Sequence, residues 1–229
     1  MRNLEQGVGL FDNATTIVSA YVEVDNLNGL CYGRGVNFSL DTLIVKANSA
    51  SGILFNLTNS ITVFRNLITL CLNVQSGSID LGLFDAGLSL VSLKTIILSG
   101  HNFSLNNGAI SGTPYPSNTV VYFTYEGEAK DGGYLGLGGN AYDVYNGFKV
   151  FSDVRFQDGW CKNANVSLCK ALTEENMYAH ILQRLKQDEP DCGDGVTITL
   201  GSTNLAKLTS EESVQLLDDL TNIYGYTFA

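Results

Sequence analysis

The feature that most constrains the fold of this chain is a repeated spacing of apolar residues in its first half. The pattern L-x-x-L-x-L recurs about every 26 or 27 residues, at Leu40, Leu43 and Val45, at Leu67, Leu70 and Leu72, and at Leu93, Ile96 and Leu98. Because side chains alternate between the two faces of a strand, the last two positions of each copy share a face. The pattern therefore predicts successive parallel strands with these positions in one core.

A repeat of this length is typical of leucine-rich-repeat coils, in which a strand supplies the apolar positions and a turn or helix returns the chain. Such coils bond backbone groups at the turn with an asparagine, and Asn48 stands at that place, followed by Gln75 and His101 in the next copies. Runs rich in β-branched and aromatic residues at 120–125 and 148–156 fit two further strands. The sequence predicts an α/β fold, an irregular leucine-rich-repeat-like solenoid with parallel strands.

The last quarter of the chain begins with a helical pattern. Thr173 is the expected N-cap, and two glutamates follow it at the positive end of the helix dipole. The apolar face of this helix is predicted to hold Met177, Ile181, Leu182 and Leu185. Alternating apolar residues then predict a strand over 196–200.

A second helix is predicted to begin at Thr209 or Ser210, with Thr209 and Glu212 forming a capping box. Its apolar residues are Val214, Leu217 and Leu220, and a short strand over 226–229 ends the chain. Alternation of helix and strand implies parallel strands joined by right-handed crossovers. We predict a helix–strand cap at about 165–229, within a repeat domain of 36–229 that follows an extension or docking segment at 1–35.

Two stretches near the C-terminus carry a family likeness. They read SLCKALTEE at 167–175 and TITLGSTNLAKLT at 197–209. These stretches resemble the C-terminal end of BspA-type leucine-rich-repeat proteins, which occur on surface proteins of gut bacteria and on structural proteins of their phages. The resemblance covers about the last 65 residues. The chain departs from it at 223–226, where it reads Ile-Tyr-Gly-Tyr and the usual ending of the family looks like Lys-Gly-Trp. It implies adhesion or assembly, with no shared reaction.

The sequence favours the phage context. The first residues, Met1 to Gly9, lack the basic start and apolar stretch of an export signal, which a bacterial surface adhesin needs. We therefore expect a non-enzymatic virion structural protein made in the host cytoplasm, such as a fibre, decoration or tail-associated component. Its expected partners are other virion proteins in an oligomer or larger assembly, and a host-surface glycan or protein. The alternative is a bacterial leucine-rich-repeat surface adhesin or scaffold protein.

Composition argues against several classes of ligand. A net charge of −10 disfavours nucleic acid, which is bound through basic patches. No apolar run approaches the roughly 20 residues of a membrane span. The five cysteines form no CxxC pair, and the acidic loop at 188–194 lacks the spacing of a calcium site. We expect no metal and no cofactor.

No residue pattern predicts catalysis. Neither His101 nor His180 has a nucleophile motif nearby, and the glutamate pairs at 174–175 and 211–212 suit helix starts. The glycine-rich segment 136–139 lacks the lysine and helix of a phosphate loop and is predicted to be a loop or tight turn. The sequence predicts a protein that is not an enzyme.

Two candidate surfaces follow from these patterns. If the core positions point inward, alternation sends a set of six residues outward as a protein interface: Ile44, Lys46, Cys71, Asn73, Ile97 and Ser99. The alternative is that the segment 18–24 folds over this face. Six tyrosines interleaved with glycine and asparagine form a candidate recognition surface or belong to ordinary β-rich packing: Tyr115, Tyr122, Tyr125, Tyr134, Tyr142 and Tyr145.

Overall fold

A computed structural model describes the chain over nine segments. These are residues 16–29, 31–32, 39–56, 66–83, 90–107, 115–126, 132–139, 147–188 and 191–229.

The described residues form an α/β structure built on one parallel sheet. Its strands are β1 (Ser19–Leu27), β2 (Cys31–Tyr32), β3 (Thr42–Ala50), β4 (Ile53–Asn56), β5 (Thr69–Leu83), β6 (Thr95–Asn107), β7 (Val120–Phe123), β8 (Tyr134–Gly139), β9 (Asp153–Phe156), β10 (Asn163–Asn165), β11 (Thr197–Thr199) and β12 (Thr227–Phe228). The main path through the sheet runs β1-β3-β5-β6-β8-β10-β11-β12, so its two ends are different strands and the sheet does not close. Every pairing between these strands is parallel.

The repeated apolar positions lie side by side in the sheet, as predicted. Leu43 of β3 pairs with Leu70 of β5, which pairs with Ile96 of β6. The last position of each copy is aligned in the same way, and all six side chains are fully buried: Leu43, Val45, Leu70, Leu72, Ile96 and Leu98. The prediction of successive parallel strands around one core is confirmed.

Strands β5 and β6 are long because each has two halves with different neighbours. The first half of β6 pairs with β7 and the second half with β8, and β9 extends the first group while β10 extends the second. Gly100 separates the halves of β6 at φ +131°, where a Cβ would overlap the carbonyl oxygen of Val74. Only glycine permits strands to approach this closely with that backbone.

The C-terminal segment packs helices against the same core. The first helical stretch is continuous through α1 (Glu174–Met177), a π-helical turn (Tyr178–Leu182) and α2 (Gln183–Leu185), and the last helices are α3 (Ser202–Leu205) and α4 (Glu211–Asn222). Thr173 caps α1 by accepting from the backbone N–H of Asn176 at 3.1 Å, as predicted. The predicted inward residues are fully buried: Met177, Ile181, Leu182 and Leu185.

The cap of α4 differs from the predicted capping box. Ser210, not Thr209, is the N-cap, and its hydroxyl oxygen accepts from the N–H of Ser213 at 3.2 Å. Thr209 instead directs its backbone N–H to the carboxylate of Glu174 at 2.8 Å. The buried face of α4 holds Ser213, Leu216 and Leu220, so Val214 lies outside it and is 52% exposed.

Two loop predictions were also wrong. The segment 136–139 belongs to strand β8, because Leu135 and Leu137 alternate into the core as strand residues do. Asn48 is exposed, and its side chain donates to a carboxylate oxygen of Asp25 at 3.0 Å instead of bonding backbone groups of a turn.

In the 148–156 run, a short 3₁₀ helix (Gly147–Val150) precedes β9, so only its second half is a strand.

Candidate functional site

One row of partly exposed apolar side chains crosses the outward face of the sheet. Consecutive strands β1, β3, β5, β6 and β7 contribute one residue each, paired directly with the next, and we call this set the apolar row: Tyr21, Ile44, Cys71, Ile97 and Tyr122. Tyr21 is 60% exposed and the other four are half-buried. The backbone register therefore stacks the three predicted residues Ile44, Cys71 and Ile97, and it adds a tyrosine at each end.

The N-terminal strand extends this face and does not cover it. β1 pairs edge to edge with β3, with Tyr21 opposite Ile44. The alternative in which residues 18–24 fold over the face is therefore wrong. This pairing also joins residues on both sides of position 35 in one sheet.

The second predicted outward row is less accessible than expected. Lys46, Asn73 and Ser99 lie side by side on β3, β5 and β6. Asn73 and Ser99 are each only 6% exposed, and the amide of Gln75 donates to the side-chain oxygen of Asn73 at 3.2 Å. Asn73 and Ser99 stay predicted interface residues that have little exposed surface of their own, while Lys46 is half-buried.

The thiol of Cys71 at the centre of the apolar row is held in its protonated form. Burial raises the pKa of the Cys71 thiol, and the carboxylate of Glu126 raises it further. A raised pKa keeps the sulfur protonated at neutral pH, where the thiol behaves as a small apolar group. Cys71 therefore serves packing or contact.

The structure describes four of the six predicted tyrosines, and these four fall into three groups. Tyr115 is 5% exposed and packs against Phe148 and Phe151, so it is a core residue. Tyr122 ends the apolar row, with the guanidinium of Arg155 5.7 Å from its ring centre. Half-buried Tyr125 and Tyr134 have pKa values raised mainly by burial, and Tyr142 and Tyr145 lie outside the described residues.

A polar pocket of about 400 Å³ opens at one end of the outward face, and the sequence patterns do not predict it. Gln75 and His101 are the next outward residues after Asn73 and Ser99, and Gly100, Glu126 and Lys162 complete the lining. Lys162 is 2% exposed; its ammonium lies 3.4 Å from the carbonyl oxygen of Gly100 and 5.9 Å from the ring centre of Tyr125. In the sequence, the only sign of this pocket is that Lys162 directly follows the apolar residues Trp160 and Cys161.

The carboxylates of Asp153 and Glu174 are held by structural partners. Asp153 accepts from Arg155 at 2.9 and 2.7 Å and from the amide of Asn176 at 2.8 Å, and the bond from Arg155 is the main cause of its lowered pKa. Glu174 accepts from the N–H groups of Thr209 and Ser210, each at 2.8 Å, and bonds from Ser210 are the main cause that lowers its pKa to about 2. Both residues therefore tie separate segments together.

Within the described segments, no group of three or more His, Cys, Asp or Glu side chains converges on a point where it could hold a metal ion. Four cysteines are free thiols, namely Cys71, Cys161, Cys169 and Cys192. Among the described helices, none combines the length and the apolar character needed to cross a membrane.

Comparison with known proteins gave no relatives for this chain. No family model, no curated protein and no solved structure matches it.

Proposed function

We propose that the chain is an irregular leucine-rich-repeat-like solenoid. The support is the order of the strands: residues 42, 69 and 95 begin successive strands that lie next to each other and in register. A repeat unit that contacts mainly its neighbours produces this arrangement. The C-terminal helices and β11 and β12 then act as its cap.

We further propose that this solenoid is a structural component of a phage particle and docks on another virion protein through the apolar row. The observation that carries the docking proposal is the row itself, because five partly exposed apolar side chains in register form a continuous stripe. Exposed contiguous apolar surface tends to mark an interface. The phage context rests on the resemblance of residues 167–175 and 197–209 to structural proteins of phages.

The chemistry of the partner follows from charge. The chain has a net charge of −10, and Glu23, which accepts from the hydroxyl of Tyr21 at 2.9 Å, flanks one end of the row. The carboxylate of Glu126 raises the pKa of both Tyr21 and Cys71, so it adds a negative field over the same end and the centre of the row. The fitting partner is a protein surface with an apolar stripe bordered by lysine or arginine, because complementary potentials favour specific association.

A non-enzymatic role agrees with how the polar groups are used. The carboxylates of Asp153 and Glu174 bond arginine, amide and backbone partners that hold the fold. The pKa of Cys71 is shifted away from the thiolate. None of these arrangements pairs a nucleophile with a base.

The test is to change Ile44 and Ile97 together to lysine in cells that produce the particle, and to separate the lysate on a density gradient. We expect the wild-type chain to co-sediment with DNA-filled particles and the double variant to remain at the top. The matched control changes Val214 and Ile223 to lysine. These residues are 52% and 50% exposed on and just after α4, and their variant should co-sediment normally.

Two results would contradict the proposal. Recovery of the wild-type chain in the cell envelope instead of the particle would favour the bacterial adhesin. Co-sedimentation of the Ile44 and Ile97 double variant at the wild-type level would show that the apolar row is not the docking surface.

A further inference from the structure

The polar pocket beside the apolar row has a cationic floor and an anionic lip. Lys162 is almost fully buried, whereas Glu126 at the same pocket is exposed. Gln75 is exposed, as Glu126 is, and His101 is half-buried, between these two levels. The pocket therefore offers charge of opposite sign at different depths, together with the hydrogen-bonding groups of Gln75 and His101.

The ammonium of Lys162 is under-compensated in this position. Its hydrogen-bond partner is a single carbonyl oxygen, that of Gly100, at the long distance of 3.4 Å, and the Tyr125 ring is a second, weaker contact at 5.9 Å. Within the described residues it makes no ion pair. An ammonium can donate three hydrogen bonds, and burying it without an anion is costly.

The floor of the pocket is held in place by close backbone packing. Gly100 is fixed by its approach to the carbonyl of Val74, so the oxygen that faces Lys162 has a set position. On the other side, Gly133 lies so close to His101 that a Cβ there would contact both its carbonyl oxygen and its Nδ1 atom. Preorganised polar groups of this kind lower the ordering cost of binding a ligand.

We propose that this pocket binds an acidic sugar unit, with the carboxylate at Lys162 and the hydroxyl groups toward Gln75, His101 and Glu126. A carboxylate supplies the charge that Lys162 lacks and forms a charge-assisted hydrogen bond with it. Hydroxyl groups both donate and accept, which suits a carboxylate, an amide and an imidazole together. A volume of about 400 Å³ lies in the range of small-molecule sites.

This inference goes beyond docking on the particle. Binding of the sugar stands by itself, and only the view that the sugar belongs to a host surface rests on the proposed function. The binding test uses purified full-length chain and ligand-observed NMR titrations. The probes are galacturonic acid, glucuronic acid and N-acetylneuraminic acid, with galactose as the ring without a carboxylate and acetate as the carboxylate without a ring. We expect at least one acidic sugar to bind at least tenfold more tightly than galactose and acetate.

The variants locate the site. Lys162→Met should weaken binding of that sugar at least tenfold, while Lys94→Met, at an exposed lysine, should leave it unchanged. Gln75→Leu and Glu126→Leu alter exposed residues and should each weaken binding at least threefold, which decides the question if Lys162→Met fails to fold. Sedimentation of Lys162→Met and Gln75→Leu with particles should stay at the wild-type level, which separates this inference from the docking proposal.

The proposal is overturned if no acidic sugar binds, or if galactose or acetate binds as tightly as the acidic sugars. It is equally overturned if a folded Lys162→Met protein, or both exposed variants, binds within twofold of wild type.

Discussion

The start of helix α4 allows a sharp test, because alanine substitutions at two adjacent residues should have effects of different size. The Ser210 hydroxyl accepts from the N–H of Ser213 at 3.2 Å and lies 2.8 Å from a carboxylate oxygen of Glu174. The Thr209 hydroxyl makes only a 3.4 Å contact with Glu174. The shorter bond from Thr209 to that carboxylate, at 2.8 Å, is donated by its backbone N–H. A change to alanine removes the side-chain contacts and keeps the backbone bond.

Ser210→Ala should therefore lower the free energy of unfolding by about 1 kcal/mol, within the range of about 0.5–2 kcal/mol for loss of an N-cap. Thr209→Ala should change it by less than about 0.5 kcal/mol, as exposed substitutions usually do. For a chain of this size, 1 kcal/mol corresponds to a fall in Tm of roughly 2–4 °C.

Urea unfolding followed by circular dichroism measures both variants, provided that the slopes with denaturant match the wild type. Thr209→Ala serves as the matched control for Ser210→Ala. The reasoning is refuted if Thr209→Ala costs as much as Ser210→Ala, because the cap would then be at the earlier residue.

Three further outcomes are expected. Leu70→Ala removes a fully buried side chain and should cost about 2–5 kcal/mol in urea unfolding, whereas Val91→Ala, at a residue 54% exposed, should be nearly neutral; similar costs would contradict the assigned core. The pKa of Glu174 is about 2 when folded and 4.5 ordinarily, so its stabilisation is present above pH 4.5 and is lost as pH falls toward 2; Glu174→Gln should flatten this part of the stability–pH curve and Glu175→Gln should not. Deleting residues 69–94 removes one repeat and should leave a single cooperative unfolding transition, because neighbouring repeats have equivalent surfaces; its disappearance would count against the solenoid.

Several elements of the fold were predictable because their causes are local. The inward positions of β3, β5 and β6 follow from alternation, and the equal spacing of the copies places them in register. Thr173 was identified as an N-cap for a similar reason, since a capping hydroxyl bonds an N–H only three residues away. In β8, local reasoning failed because glycine content was weighed above the alternation of Leu135 and Leu137.

The sequence by itself determined the period, the buried residues of the repeated strands and the stacking of Ile44, Cys71 and Ile97. Each of these depends on neighbours within a few residues and on a nearly constant offset of 26 or 27 residues. Only the tertiary structure decided the N-cap of α4, because the backbone N–H of Thr209 donates to the carboxylate of Glu174, which lies far away in the sequence. It also decided the polar pocket, whose lining comes from β5, β6, the residues after β7 and the residue before β10. No local sequence pattern predicts that these residues come together, because their positions depend on how far each strand extends before the chain turns.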